Sequence, residues 1–165
     1  MEKIDNILKI SLRKYKPCDI DEIAELFYKT VHNVCVKDYS KTELNAWASG
    51  EIDKISWNKS FLEHDTIIAD FNGKITGFAD MDSAGYLDRL YVHKDFQNQG
   101  IGTEIVKKLE KTACELGVTK FTSYASITAK PFFEKMGYVV VCKNIVVRND
   151  VKLTNYKMEK LLNNI

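Results

Sequence analysis

The chain has 165 residues, 24 of them basic and 23 acidic, for a formal net charge of +1. That length suits one domain, residues 1–165, with one real core, and 45% hydrophobic residues is an ordinary globular composition. The near-neutral balance excludes a broad electrostatic attraction to nucleic acid or anionic lipid, and no apolar run is long enough to span a membrane.

Met1 to Lys9 alternates charge with isolated apolar residues and lacks a signal-peptide core. Cys18, Cys35, Cys114 and Cys142 form no C-x-x-C and read as reduced thiols of a cytoplasmic protein. Ile10 to Tyr15 alternates as a first strand, which Pro17 ends. Asp19 or Asp21 caps a helix running to about Val34, with Ile23, Phe27, Thr30 and Val34 on a core-facing stripe and Tyr28 and His32 on the opposite side. Ser40 or Thr42 caps a second helix through Trp47 and Ala48, stopped by Ser49-Gly50, and Ile55 to Leu62 reads as a third. Tyr39, Trp47 and Trp57 form an aromatic-rich region whose default reading is core packing.

Thr66 to Phe71 is a strand, Asn72-Gly73 a hairpin turn, and Lys74 to Met81 the returning strand. After a turn at Asp82 to Gly85 comes a strand ending at Val92, on which alternation assigns Tyr86, Asp88, Leu90 and Val92 to one face. A polar loop follows, and then Gln99-Gly100-Ile101-Gly102 ahead of a periodic helix, Thr103 to Leu116. Ile105, Val106, Leu109, Ala113 and Leu116 are its core side and Gly117 its terminator. The next strand, Val118 to Ala125, should run parallel to the Asp88 strand, since a helix crosses between them. Ala129 to Met136 is a short helix, Tyr138 to Val147 a strand, and Val151 to Lys160 a final antiparallel strand, with Leu161 to Ile165 fraying. The expected fold is α/β (α+β): a mixed, twisted sheet of about seven strands with helices on both faces.

A strand, a glycine-bearing loop and a helix start together catch phosphates, because free N–H groups and the helix dipole both favour an anion there. The loop is neither G-x-G-x-x-G nor G-x-x-x-x-G-K-[ST]. It is Q-x-x-G-x-G, as Gln97, Gly100 and Gly102, followed by Thr103. Downstream stands A-K-P-F-F-E-K-M-G-Y, Ala129 to Tyr138. The pair resembles the acetyl-CoA loop and the A-x-x-F-Y-E-K-x-G-F segment of the GNAT superfamily of N-acetyltransferases, and the order of elements follows that family over the whole chain.

The resemblance implies a GNAT-like sheet, acetyl-CoA as acetyl donor, and a primary amine as acceptor. It places the pyrophosphate on the loop of Gln97, Asn98, Gln99, Gly100, Ile101, Gly102 and Thr103, and the pantetheine arm beside Leu90, Tyr91 and Val92. The oxyanion would meet a backbone N–H near Tyr91 or Val92, freed because that strand is splayed from its parallel neighbour. Ser126 lies where the family often has an asparagine touching the cofactor. Phe133 stands where many members have a tyrosine that protonates the leaving thiolate, and it has no proton to give. Asp88 is the favoured base and Tyr124 the substitute acid. His32 and His93 are lesser base candidates, and His64 has no assigned role. The first helical region, with Tyr28 and His32, and the aromatic residues after it would wall the acceptor. The histidines lack metal-ligand spacing, so no metal is expected.

The acceptor could be a polyamine-like or antibiotic amine, an amino-acid derivative or a protein amine, with a small molecule favoured. Expected partners exclude nucleic acid and membrane, and the chain would be a monomer or homodimer. The alternatives are a non-catalytic acyl-CoA-binding module and a nucleotide-binding regulatory domain.

Overall fold

Strand alternation and turn chemistry account for most of the sheet in the computed structural model, which describes residues 9–162. The strands are β1 (Ser11–Lys14), β2 (Asp65–Phe71), β3 (Lys74–Met81), β4 (Tyr86–Val92), β5 (Lys120–Ser126), β6 (Val139–Arg148) and β7 (Val151–Leu161). The helices are α1 (Ile20–Val34), α2 (Lys41–Trp47), α3 (Lys54–Glu63), α4 (Ile101–Glu115) and α5 (Lys130–Lys135). The seven strands form a single sheet in the order β1-β2-β3-β4-β5-β7-β6, antiparallel except for β4 and β5. Two hairpins turn on left-handed residue pairs: Asn72-Gly73 (φ 51° and 84°) and Asn149-Asp150 (φ 47° and 62°). Positive φ at both turn residues matches the twist of the flanking strands.

Helices cover both faces. On one, Ile105, Val106 and Leu109 of α4 and Phe133 of α5 pack on Ile67, Ala79, Met81, Leu87 and Phe121. On the other, Ile23, Leu26, Phe27 and Val31 of α1, Leu44 of α2 and Phe61 of α3 pack on Ile68, Ile75 and Phe78. Two stripe assignments are corrected. Val34, in the last turn of α1, is only partly buried, and Leu26 and Val31 widen the stripe instead. Leu116 is 79% exposed because it is the C-cap of α4, beyond the last turn that faces the sheet.

Ser40 caps α2 through a reciprocal pair with Glu43, as S-x-x-E spacing dictates. Asp19 occupies the N-cap position of α1 without capping it. Its buried carboxylate accepts from Arg13 at 2.8 and 2.9 Å and from the Lys16 N–H at 2.8 Å. Burial alone would raise the Asp19 pKa, but the Arg13 and Lys16 hydrogen bonds outweigh it and hold the carboxyl below its ordinary value. A depressed carboxyl contributes stability above its unfolded pKa and loses it as pH falls through the folded one. Asp19→Asn should therefore cost about 2 kcal/mol at neutral pH. In denaturant titrations its deficit against wild type should shrink below about pH 4.

At the C-terminal end β7 continues through Leu161, and the Leu162 N–H donates to Thr119 O at 2.9 Å, so these two residues do not fray. The expectations for residues 1–8 and 163–165 lie outside the described residues.

Two irregularities of β4 shape the middle of the sheet. Asp80 pairs with Arg89 but Met81 pairs with Leu87, so Asp88 is an extra residue, a β-bulge. In addition, β4 and β5 pair only at Tyr86–Thr122 and Leu87–Ser123 and then part.

Candidate active site

The bulge overturns the single-face reading of β4. Leu87, Leu90 and Val92 face α4, while Tyr91 joins the opposite core and Arg89 lies over the Trp57 and Phe61 rings. Asp88 shares cavity walls with Tyr86, Tyr91 and Arg89. An inserted residue resets the alternation, so Asp88 and Arg89 project to the same side in succession.

Beyond Leu87, β4 has no strand partner on its β5 side among the described residues. His93 N–H donates to Thr76 O on the β3 side at 2.8 Å. Alternation back along β4 then sends the Tyr91 N–H to β3 and those of Leu90 and Val92 into the gap. The gap-facing donor is thus Leu90 or Val92. The Val92 carbonyl is already engaged, accepting from Thr30 Oγ1 at 2.9 Å and Gln97 Nε2 at 2.6 Å. Gln97 therefore clamps the loop to the end of the strand.

The loop leads from a short helical turn at Lys94–Phe96 into α4. Asn98 has φ 60° and Gly100, the N-cap, has φ 81°. Among the described residues, no backbone N–H from Asn98 to Thr103 donates to a protein acceptor. A Cβ on Gly100 would meet nothing within 4 Å, so that side of the loop is open. Gly102 differs: its Cβ would stand 3.4 Å from the Phe132 ring. The Ile101 side chain is buried against the α4 core, which leaves only its backbone to face outward.

Phe133 is 2% exposed, with its ring 5.1 Å from that of Tyr138 in an edge-on contact. The ring beside the loop belongs to Phe132, since α5 turns the preceding position outward. Phe133→Tyr should cost about 1–3 kcal/mol by forcing a hydroxyl into this core, read as a lower Tm, without raising turnover. Higher turnover would show that the ring edge reaches the cleft.

On the α1–α3 side lie two adjoining cavities, of about 320 and about 530 Å3, which share Trp47, Asp88, Tyr91 and Arg148. The smaller brings Asp88 together with Tyr124 and Ser126, and also with Tyr39, Tyr86, Asn144 and Asn155. Ser126 Oγ accepts from Ala129 N–H at 3.0 Å, which ties the end of β5 to the start of α5. Tyr39 is buried, its hydroxyl donating to Thr154 O at 2.6 Å and accepting from Ile127 N–H at 2.9 Å. Burial, with Asp88 adding to it, pushes the Tyr86 phenol up to about 12. It is therefore a poorer proton donor than an ordinary tyrosine, whereas Tyr124 is half-exposed at the wall. Trp47 and Trp57 serve as both core and wall. Tyr28 and His32 line neither cavity: their rings stack on each other, and His32 Nε2 pairs with Ala48 O at 2.7 Å.

His64, given no role from sequence, meets Asp80 at 2.7 Å. Asp80 is 0% exposed. Its Oδ2 also accepts from Arg89 at 2.7 Å, and Arg89 lies 3.4 Å from Asp88. Burial raises the Asp80 pKa, with Arg89 and His64 opposing. Asp80 Oδ1 has no partner among the described residues. Donor atoms of His64, Asp80 and Asp88 come within 4.8 Å of one another. The guanidinium among them already supplies the positive charge that a metal would. No sequence spacing announces this cluster, because β3, β4 and the end of α3 assemble it. Arg148 was likewise unforeseen, although the Asn-Asp pair after it is a turn signal that sets it at a hairpin tip.

A mixed sheet parted between two parallel strands, with open amides at a helix start beside the parting, is an architecture of acyl-CoA-dependent transferases. A family model described as "Acetyltransferase (GNAT) domain" matches residues 35–160. The chain is 31% identical over 149 residues to the uncharacterized N-acetyltransferase YafP of Escherichia coli K12, covering 90% of this chain and 94% of that protein. A crystal structure of a GCN5-related N-acetyltransferase from Rhodopseudomonas palustris superimposes with a TM-score of 0.88 at 35% identity, covering 92% of this chain and 95% of that one. PaiA N-acetyltransferase of Thermoplasma acidophilum, solved with coenzyme A, shares the fold at 18% identity and a TM-score of 0.77, over 93% and 99% of the two chains. The chain belongs to the GNAT superfamily of N-acetyltransferases. Among the described residues no helix is long and apolar enough to cross a membrane.

Proposed function

We propose that the protein transfers the acetyl group of acetyl-CoA to a primary amine of a small molecule, by direct attack through a tetrahedral intermediate. The observation that carries this is the run of open amides from Asn98 to Thr103 beside the parting of β4 and β5. The diphosphate would lie over those amides, with Gly100 allowing close approach and Phe132 bordering the loop. The pantetheine arm would follow β4 along Leu90 and Val92, leaving the thioester near Asp88. The relatives solved with coenzyme A or acetyl-CoA, PaiA and the Salmonella typhimurium protein YncA, agree with that choice of donor.

In the reaction a C–N bond forms and the thioester C–S bond breaks. One amine proton leaves to a base, and the thiolate takes a proton to depart as a thiol. An amine of pKa about 10.4 must be presented uncharged near pH 7, a cost of about 4.6 kcal/mol. Asp88, which lines both cavities, would hold the ammonium and accept its proton, directly or through water. The Leu90 or Val92 amide meets the oxyanion. Tyr124 is the hydroxyl of the smaller cavity best exposed to return a proton to sulfur.

Following thiol release from acetyl-CoA over a panel of amines tests the reading. Amine-dependent release is expected, and tight coenzyme A binding without turnover of any amine would favour a non-catalytic module.

A further inference from the structure

In the smaller cavity the charged lining groups are Asp88 and Arg148, one of each sign, set among aromatic and neutral walls. From this we infer that the acceptor is a zwitterion, an amino acid with a large apolar or aromatic side chain. Its amine would meet Asp88, and its carboxylate would meet Arg148. The inference rests on the acetyl-transfer reading and extends it to the substrate class.

The charge bookkeeping singles out Arg148. Arg13 is held by Asp19 and Asp70, and Arg89 by Asp80 and Asp88. Arg148 has no carboxylate within salt-bridge distance among the described residues, yet it lines both cavities. Its backbone is not loose. It closes the β6–β7 ladder opposite Val151, at the left-handed Asn149-Asp150 turn. Its side chain is exposed, and a planar, permanently charged fork on an anchored backbone suits bidentate recognition of a carboxylate. Within the smaller cavity a second cation of a polyamine would lie beside it, while the acidic Glu51 and Asp53 line only the adjoining cavity.

The neutral walls point the same way. Trp47, Tyr91 and Tyr124 offer ring surface for an apolar side chain. Asn144 and Asn155 are bonded to each other at 2.9 Å, which lowers their capacity for further polar contacts. A cavity of about 320 Å3 lies at the small end of ligand pockets and suits a single amino acid better than a protein segment.

The test compares L-phenylalanine, phenethylamine and spermidine as acceptors. Phenethylamine keeps the ring and amine but lacks the carboxylate. A charge-assisted pair predicts kcat/KM for phenylalanine about tenfold or more above phenethylamine, and higher still above spermidine. Arg148→Gln should lower the phenylalanine-to-phenethylamine ratio by about tenfold, and Arg148→Lys should keep part of it. Circular dichroism checks that the variants are folded. Equal use of phenylalanine and phenethylamine by wild type overturns the inference, as does an Arg148→Gln loss that is the same for every acceptor. Calorimetry with coenzyme A separates the two levels. Binding with acetylation but no carboxylate preference sinks only this inference. Absence of binding, or binding with no amine acetylated, removes the acetyl-transfer reading and this inference with it.

Discussion

Gly100→Asp is expected to weaken acetyl-CoA binding about 100-fold or more, measured by calorimetry. The effect is one of charge, because the left-handed backbone at Gly100 (φ 81°) is shared by free and bound protein and is open to Asp and Asn alike. A carboxylate about 5 Å from a diphosphate charge repels it by about 3 kcal/mol at an effective dielectric near 20. Steric clash is not the cause, because a Cβ there meets nothing within 4 Å. Gly100→Asn is therefore the control: it has similar bulk, tolerates the left-handed backbone and carries no charge. It should retain most of the affinity that the aspartate removes. Equal losses in both variants would argue against an anion at this loop.

Asp88→Asn is the second large effect. If Asp88 takes the amine proton, the substitution should lower kcat by about 100- to 1000-fold. The KM for acetyl-CoA should stay within about twofold, because Asp88 lies on the acceptor side and not at the loop. The fold should survive, since Asp88 is an exposed bulge residue whose ion pair with Arg89 is long at 3.4 Å. Asparagine cannot accept the proton, and an unchanged rate would move the base elsewhere, with a water held by the cavity wall as the next candidate.

The proposed cofactor half of the site is local in sequence, and so a candidate could be named there: Gln97, Gly100 and Gly102 lie between a strand and a helix that periodicity identifies. The proposed acceptor half is assembled from distant segments. Trp47 comes from α2, Asp88 from β4 and Arg148 from β6, and no spacing links them. Aromatic residues such as Trp47 and Trp57 are ambiguous in sequence because one ring can pack a core and wall a cavity together. His64 was passed over for a related reason: its partner Asp80 is on another element, and charges buried in pairs leave no local pattern. The face assignment on β4 failed because alternation assumes a regular ladder. Met81 pairing with Leu87 breaks that assumption, and only the neighbouring strand reveals it. Phe133 shows the limit of motif alignment, since correspondence with a tyrosine position does not ensure that the ring points into the cleft.

The extra residue at Asp88 also acts as a parity switch. Odd-numbered Leu87 and even-numbered Leu90 both face α4 because one count is skipped between them. Deleting Asp88 would let β4 pair as a regular ladder with Leu87, Leu90 and Val92 still under α4, because Asp80–Arg89 and Met81–Leu87 would become consecutive pairs. Ironing out the bulge with Asp88 retained would instead invert one half of the strand: with Leu90 and Val92 in place, Leu87 would leave the α4 core. The bulge is what lets β4 carry one residue more than its neighbour without turning either half over.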